Sequence, residues 1–166
     1  NVTITKNIAE DGGGFYLNNS STVEVANSII YYNGQYEVSA GTAGGEAGDN
    51  IFKVAHSNVN DGDLNFTSLT YDWQKGNVSF IPSFIDTANN NFQLAWGSPA
   101  IDSGDPTVTM DPDTTIIDMG AYYFNQIDLI PPTVSIISPS GGETYGTSDQ
   151  VEIEWEASDN FLLTWA

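Results

Sequence analysis

The chain has 166 residues, and 22 acidic residues against three basic ones give it a formal net charge of −19 at pH 7. All three basic residues are lysines, and there is no arginine and no cysteine. A surface this negative repels phosphate backbones and anionic membranes, which excludes nucleic acid as a partner. The absence of cysteine excludes disulfides and thiolate metal sites, and no apolar stretch approaches the roughly 20 residues of a membrane span.

A repeated frame opens the chain. Asn1-Val-Thr-Ile-Thr-Lys-Asn7 and Asn27-Ser-Ile-Ile-Tyr-Tyr-Asn33 are both short strand-like runs closed by asparagines. Their starts lie about 26 residues apart, a period typical of stacked repeat units that bury their apolar faces against one another. Because the units are rich in β-formers, glycine and asparagine, the frame predicts the coils of a β-solenoid. The chain starts in mid-repeat, so we expect it to be the end of something longer.

Further short strands follow between turn residues. Residues 15–17, 22–25 and 28–32 are strand-like, and the glycines at 12–14 and the asparagines between the strands mark sharp corners. Asparagine and glycine suit such corners because they tolerate the left-handed backbone conformation. We also expect asparagines at matching corners to stack as hydrogen-bonded ladders between coils.

The next segments predict a loop and a further layer. Residues 34–50 are mostly small residues and predict an insertion on one face of the solenoid. Residues 51–57 resume the strand pattern about 22 residues after Ile29 and are predicted to form a third layer. We therefore assign residues 1–58 to the coils.

Residues 59–125 are irregular apolar segments with proline and glycine at the joints, and they predict a C-terminal cap. An open solenoid end exposes strand-like apolar surface, so terminal units are expected to be atypical. The predicted core of this cap is Phe84, Ile85, Phe92, Leu94, Trp96, Ile101 and Tyr122.

A second domain is predicted after a linker at residues 126–132, which ends in two prolines that favour extended backbone. Residues 133–138 form a strand-like run, and Val151, Ile153 and Trp155 then alternate with glutamates. This alternation predicts the start of an antiparallel sandwich. Because such a sandwich needs about 100 residues, we expect residues 133–166 to be its N-terminal part only.

The cap segment carries a family resemblance. Asn77-Val-Ser-Phe-Ile-Pro-Ser-Phe-Ile-Asp86, Gly97-Ser-Pro-Ala-Ile-Asp-Ser-Gly-Asp105 and Asp118-Met-Gly-Ala-Tyr122 resemble the end of bacterial right-handed parallel β-helix proteins of the choice-of-anchor Q type. The upstream coils also resemble polymorphic outer-membrane protein repeats, and residues 132–166 resemble bacterial Ig-like modules. The resemblance implies export and display at a bacterial cell surface, without a shared catalytic motif.

One cluster of carboxylates suggests a metal site. Asp111 and Asp113, followed by Asp118 and preceded by Asp105, could supply the several oxygens that calcium prefers. The spacing departs from a calcium loop of the Asp-x-Asp-x-Asp-Gly type, and aspartates also suit turns without any metal. Calcium is therefore the candidate cofactor of this cluster, and ordinary turn aspartates without a metal are the favoured interpretation.

Two function classes remain open. The first is a non-enzymatic surface protein with a structural, adhesive or carbohydrate-contacting role. Its candidate sugar-stacking aromatics are Tyr16, Tyr31, Tyr32, Tyr36, Tyr71 and Trp73, although aromatics on strands more often fill the core.

The second class is a carbohydrate-active enzyme, a polysaccharide lyase or glycoside hydrolase, whose catalytic coils lie upstream. Parallel β-helices include pectate lyases and polygalacturonases, which combine carboxylates with basic side chains. This chain has no arginine, and its one histidine, His56, has no motif partner. We therefore predict no catalytic residue in this segment, and carbohydrate or other cell-surface molecules as partners.

Overall fold

The computed structural model describes residues 1–41, 50–60 and 68–159. Within those ranges the structure is all-β, with no α-helix and one short 3-10 turn at Thr87–Asn89. The chain divides into two compact units, Asn1–Asn125 and Gln126–Ala166.

Three parallel sheets organise the first unit. The strands are β1 (Thr3–Thr5), β2 (Phe15–Leu17), β3 (Thr22–Ala26), β4 (Ile29–Tyr31), β5 (Val38–Ala40), β6 (Asn50–Ala55), β7 (Asn58–Val59) and β8 (Leu69–Trp73). They pair in the orders β1-β4-β7, β2-β5 and β3-β6-β8. The chain thus visits three sheets in turn and then returns to the first, so strands distant in sequence become hydrogen-bonded neighbours.

The register confirms the repeat that the opening frame predicts and corrects how it continues. Thr3 pairs with Ile29, which matches the predicted spacing. Ile29 then pairs with Asn58, whereas Ile51 pairs with Thr22. The predicted third layer over 51–57 is therefore a strand in another sheet, because the residues that repeat Asn27-Ser-Ile-Ile are His56-Ser-Asn-Val.

Two other expectations are corrected by the strands. Residues 38–40, within the predicted insertion, form β5, because their small buried side chains fit against β2. Most of the remaining insertion, residues 42–49, lies outside the described residues. Parallel pairing also continues past residue 58, through β8 and a bridge between Asn58 and Val78.

The core of the parallel region lies between the three sheets. Its buried members are Leu17, Ile30, Val38, Ala40, Phe52, Val54, Val59 and Leu69. Phe52 is fully buried and lies between two other rings, stacked on Tyr71 at 5.7 Å and tilted against Phe15 at 5.4 Å. Each layer therefore contributes one large side chain to a continuous column, and neighbouring layers bury one another's apolar faces.

The rest of the first unit packs a second core against Ile29. An antiparallel hairpin, β9 (Phe84–Asp86) and β10 (Asn91–Leu94), precedes irregular turns. The buried members of this core are Ile29, Leu94, Ala100 and Met119. Of the predicted cap core, Leu94 is buried and Phe84, Phe92 and Ile101 are partly buried. Ile85, Trp96 and Tyr122 are exposed, so their placement in the core was wrong.

The second unit contains one antiparallel pair. Strand β11 (Thr133–Ser138) pairs with β12 (Glu154–Ser158), with Ile136 opposite Trp155. The side chains on this pair remain largely exposed. The all-β expectation thus holds for both units.

Candidate functional site

Hydroxyl and amide side chains form a ladder along one corner of the parallel region. The Val2 N–H donates to Ser28 Oγ at 3.1 Å, and the Ser28 N–H donates to Ser57 Oγ at the same distance. The Ser57 N–H in turn donates to Asn77 Oδ1 at 3.0 Å. These side chains satisfy buried amides where the sheets turn, which is why small polar residues recur at this corner.

The residue before each step of this ladder adopts the left-handed conformation. Asn27, His56 and Gly76 have φ of 48°, 45° and 76°. The His56 ring lies so close to Gly76 that a Cβ there would stand 2.3 Å from Nδ1. His56 therefore occupies a structural corner position, equivalent to that of Asn27 in the layer before. The sequence reveals this equivalence only when the strand register is known, because a histidine stands where the repeated frame has an asparagine.

A second buried network joins two layers at Asn33. Its Oδ1 accepts from the side-chain and backbone amides of Asn7, at 2.8 and 3.2 Å, and its Nδ2 donates to Ile4 O at 2.8 Å. The same Nδ2 donates to a carboxylate oxygen of Glu37 at 2.6 Å. Asn33 and Glu37 are both almost completely buried, so this pair is a buried structural hydrogen bond rather than an accessible acid.

Gly13 and Gly14 are required by this network. A Cβ on Gly13 would lie 2.6 Å from Asn33 O, and one on Gly14 would lie 2.6 Å from Glu37 O. The backbone runs against the next layer too closely for any side chain.

The loop that contains Asp111, Asp113 and Asp118 is held together by hydrogen bonds from its own backbone to aspartate side chains. Asp118 is buried, and its carboxylate accepts the backbone N–H groups of Asp102, at 2.7 Å, and of Phe124. The Asp118 N–H donates to Asp111 Oδ2 at 2.8 Å. Burial raises the pKa of both Asp111 and Asp118. The charges of Asp113 and Asp102 add to the upward shift of the Asp111 pKa, and the charges of Asp111 and Asp102 add to that of Asp118. These two aspartates act as internal caps of turns.

The other two predicted calcium ligands bind elsewhere in the same segment. Asp113 Oδ1 accepts from the Thr115 hydroxyl, and Asp105 Oδ1 accepts from the Thr107 hydroxyl, both at 2.7 Å. Asp105 Oδ1 also lies 3.9 Å from His56 Nε2. Among the described residues, no group of three or more acidic or histidine side chains is arranged to hold a metal ion. The calcium site stays a prediction.

One basic side chain lies between carboxylates on an outer strand face. Glu24, Lys53 and Asp72 are register partners on β3, β6 and β8, and Lys53 Nζ lies 2.9 Å from Glu24. The hydrogen bond and charge of Glu24, with a contribution from Asp72, raise the pKa of Lys53. A lysine acting as a catalytic base needs a lowered pKa, so this trio suits layer pairing better than catalysis.

An open groove of about 530 Å³ lies where a corner of the parallel region faces the β9–β10 hairpin. Its lining residues are Lys6, Tyr32, Pro82, Ser83, Phe84 and Thr87. Lys6 and Tyr32 are equivalent corner residues in successive layers, since the Lys6 N–H donates to Tyr32 O at 3.1 Å. The groove combines an aromatic ring, an ammonium and two hydroxyls, the mixture typical of a ligand site.

The sugar-stacking candidates are divided by their exposure. Tyr16, Tyr32 and Trp73 are exposed, whereas Tyr31, Tyr36 and Tyr71 are partly buried. Of the six, only Tyr32 lines the groove. Its partner Lys6 was not anticipated, because an isolated lysine at a corner after a strand carries no sequence signal.

Comparisons with known proteins give no family: no protein-family model, curated protein or solved structure matches the chain. Over residues 1–41, 50–60 and 68–159, no helix is long and apolar enough to span a membrane.

Proposed function

We propose that the chain is the C-terminal portion of a right-handed parallel β-helix followed by the start of an Ig-like module. In this proposal it belongs to a secreted or cell-surface bacterial protein of the choice-of-anchor Q type. Its role is structural, adhesive or carbohydrate-contacting and non-enzymatic, and the alternative is the C-terminal part of a carbohydrate-active enzyme whose catalytic coils lie upstream.

The observation that carries this proposal is the repeated return of the chain to the same three sheets. Residues at one corner are thereby stacked in rows, so side chains from successive layers face solvent next to one another, as Lys6 and Tyr32 do. A row of this kind suits contact with an extended polymer. The surface carboxylates keep the protein away from polyanions, which favours neutral polysaccharides.

The test is binding without turnover. We expect the purified protein to co-sediment with at least one insoluble polysaccharide from a panel of cellulose, chitin, mannan and peptidoglycan. We also expect no reducing ends and no unsaturated uronates to appear when it is incubated with soluble polysaccharides, including polygalacturonate. Formation of such products would establish the carbohydrate-active enzyme instead, and failure to bind any polymer would refute the carbohydrate-contacting role.

A further inference from the structure

We infer that the groove between the Lys6–Tyr32 corner and the β9–β10 hairpin is a binding site for a neutral glycan. This inference rests on the proposed function and adds the location and chemistry of the contact. The groove volume of about 530 Å³ lies within the range of small-ligand sites, about 300–1,000 Å³.

The walls of the groove are held in place before any ligand arrives. Lys6 Nζ donates to Thr87 O at 2.7 Å and lies 5.9 Å from the centre of the Phe92 ring. Tyr32 is held by an edge contact with Tyr31 at 4.9 Å. A site fixed in this way loses little side-chain freedom when it binds.

The exposed chemistry matches a sugar. Tyr32 is about half exposed, at 47 % of its surface, and presents a ring on which the C–H face of a pyranose can stack. An ammonium has three donors, and the hydrogen bond of Lys6 to Thr87 leaves two for sugar hydroxyls. The Ser83 and Thr87 side chains are also exposed beside them.

The charge pattern selects a neutral glycan over an acidic one. Asp86 directly precedes the groove residue Thr87, and its carboxylate accepts the side-chain and backbone amides of Asn89 at 2.7 and 3.2 Å. These hydrogen bonds lower the Asp86 pKa, the charge of Lys6 adds to the shift, and Asp86 is thereby held ionised next to the groove. A uronate would meet this carboxylate as well as the net charge of −19.

The backbone conformation of the corner does not require the side chains of Lys6 and Tyr32. Lys6 and Tyr32 both have left-handed backbone, with φ of 58° and 65°, where asparagine or glycine is more comfortable. Replacing Tyr32 by asparagine should therefore preserve the corner while removing the ring. This separates a role in binding from a role in folding.

The experiment is native electrophoresis through gels that contain mixed-linkage β-glucan, xyloglucan or galactomannan, with polygalacturonate as the acidic probe. The acidic protein migrates rapidly, so retardation reports binding directly. We expect retardation in at least one neutral gel and none in the acidic gel. Tyr32→Asn and Lys6→Asn should each weaken it at least tenfold, with melting midpoints close to that of the parent.

The matched controls are Tyr123→Asn and Lys75→Asn, which remove an exposed tyrosine and an exposed lysine outside the groove. Both should bind as the parent does. Retardation that Tyr32→Asn and Lys6→Asn leave unchanged would overturn the groove site while the carbohydrate-contacting role survived. Retardation by polygalacturonate alone would overturn the neutral-glycan assignment. Binding to no polysaccharide in these gels or in the sedimentation panel would overturn both proposals.

Discussion

Removing the side chain of Asn33 tests whether buried corner amides hold the layers together. In Asn33→Ala the protein loses a hydrogen bond to Ile4 O, and a buried oxygen of the Glu37 carboxyl group loses its amide donor. These losses cost about 1 and about 2 kcal/mol respectively. The two bonds from Asn7 add little, because Asn7 is exposed and water replaces them.

We therefore expect Asn33→Ala to lower the free energy of unfolding by about 3 kcal/mol, which corresponds to a melting midpoint about 10 °C lower. Urea unfolding followed by circular dichroism measures this loss. Asn89→Ala is the matched control, since it removes an exposed amide whose hydrogen bond goes to the exposed end of Asp86, and it should cost no more than about 0.5 kcal/mol. A loss below about 1 kcal/mol in Asn33→Ala would refute the reasoning, because the buried carboxylate would then be satisfied without its amide partner.

Three further predictions concern the charged groups. Lys53→Met should leave the midpoint of urea unfolding nearly unchanged, because its bond to Glu24 is exposed to solvent and screened; a clear drop in the midpoint would contradict this. Burial raises the pKa of Asp111 and Asp118. The stability linked to their protonation is therefore fully present below their unfolded pKa of about 3.9, and it is lost as the pH rises through their pKa values in the folded protein. The melting midpoint in EDTA should accordingly fall from pH 4 to pH 7. Asp111→Asn keeps an acceptor for the Asp118 N–H and should make that fall smaller. An equal fall in the variant would contradict the assignment of the pH dependence to these aspartates. The hydrogen bonds favour turn capping alone, which leaves the melting midpoint of EDTA-treated protein unchanged when calcium is added. A calcium site would instead raise the midpoint, and Asp111→Asn with Asp113→Asn would abolish that rise.

The sequence predicts the all-β class and the first repeat because two successive coils have nearly the same pattern of residues. The run from Asn1 and the run from Asn27 share spacing and residue types, and their strands pair in the predicted register. The next repeat is less visible, since His56 replaces asparagine at the left-handed corner and Asn58 replaces isoleucine in the strand. Single-residue substitutions of this kind displace the repeat that a reader infers from the sequence, although the backbone of the layer is unchanged.

The sites were harder to predict for a different reason. Acidic clusters are visible in a sequence, but whether their oxygens bind an ion or cap turns depends on three-dimensional geometry, as Asp118 illustrates. Residues 82–87 of the groove lie at least 50 residues after its corner residues Lys6 and Tyr32. Lys6 falls in the repeated frame and Ser83 in the run that carries the family resemblance, but neither pattern indicates that the two side chains meet. Proximity created by stacking layers cannot be derived from local patterns.

The most direct test of the stacked-layer architecture is disulfide trapping, which the cysteine-free chain makes clean. Glu24 and Lys53 are register partners in adjacent strands, about 4.8 Å apart, within the range that a disulfide spans. Glu24 and Asp72 lie two strands apart on the same face, at about 10 Å. We predict that Glu24→Cys with Lys53→Cys forms an intramolecular disulfide in the oxidised monomer and that Glu24→Cys with Asp72→Cys does not. Cross-linking of the second pair in preference to the first would contradict the layered fold and the groove built on it.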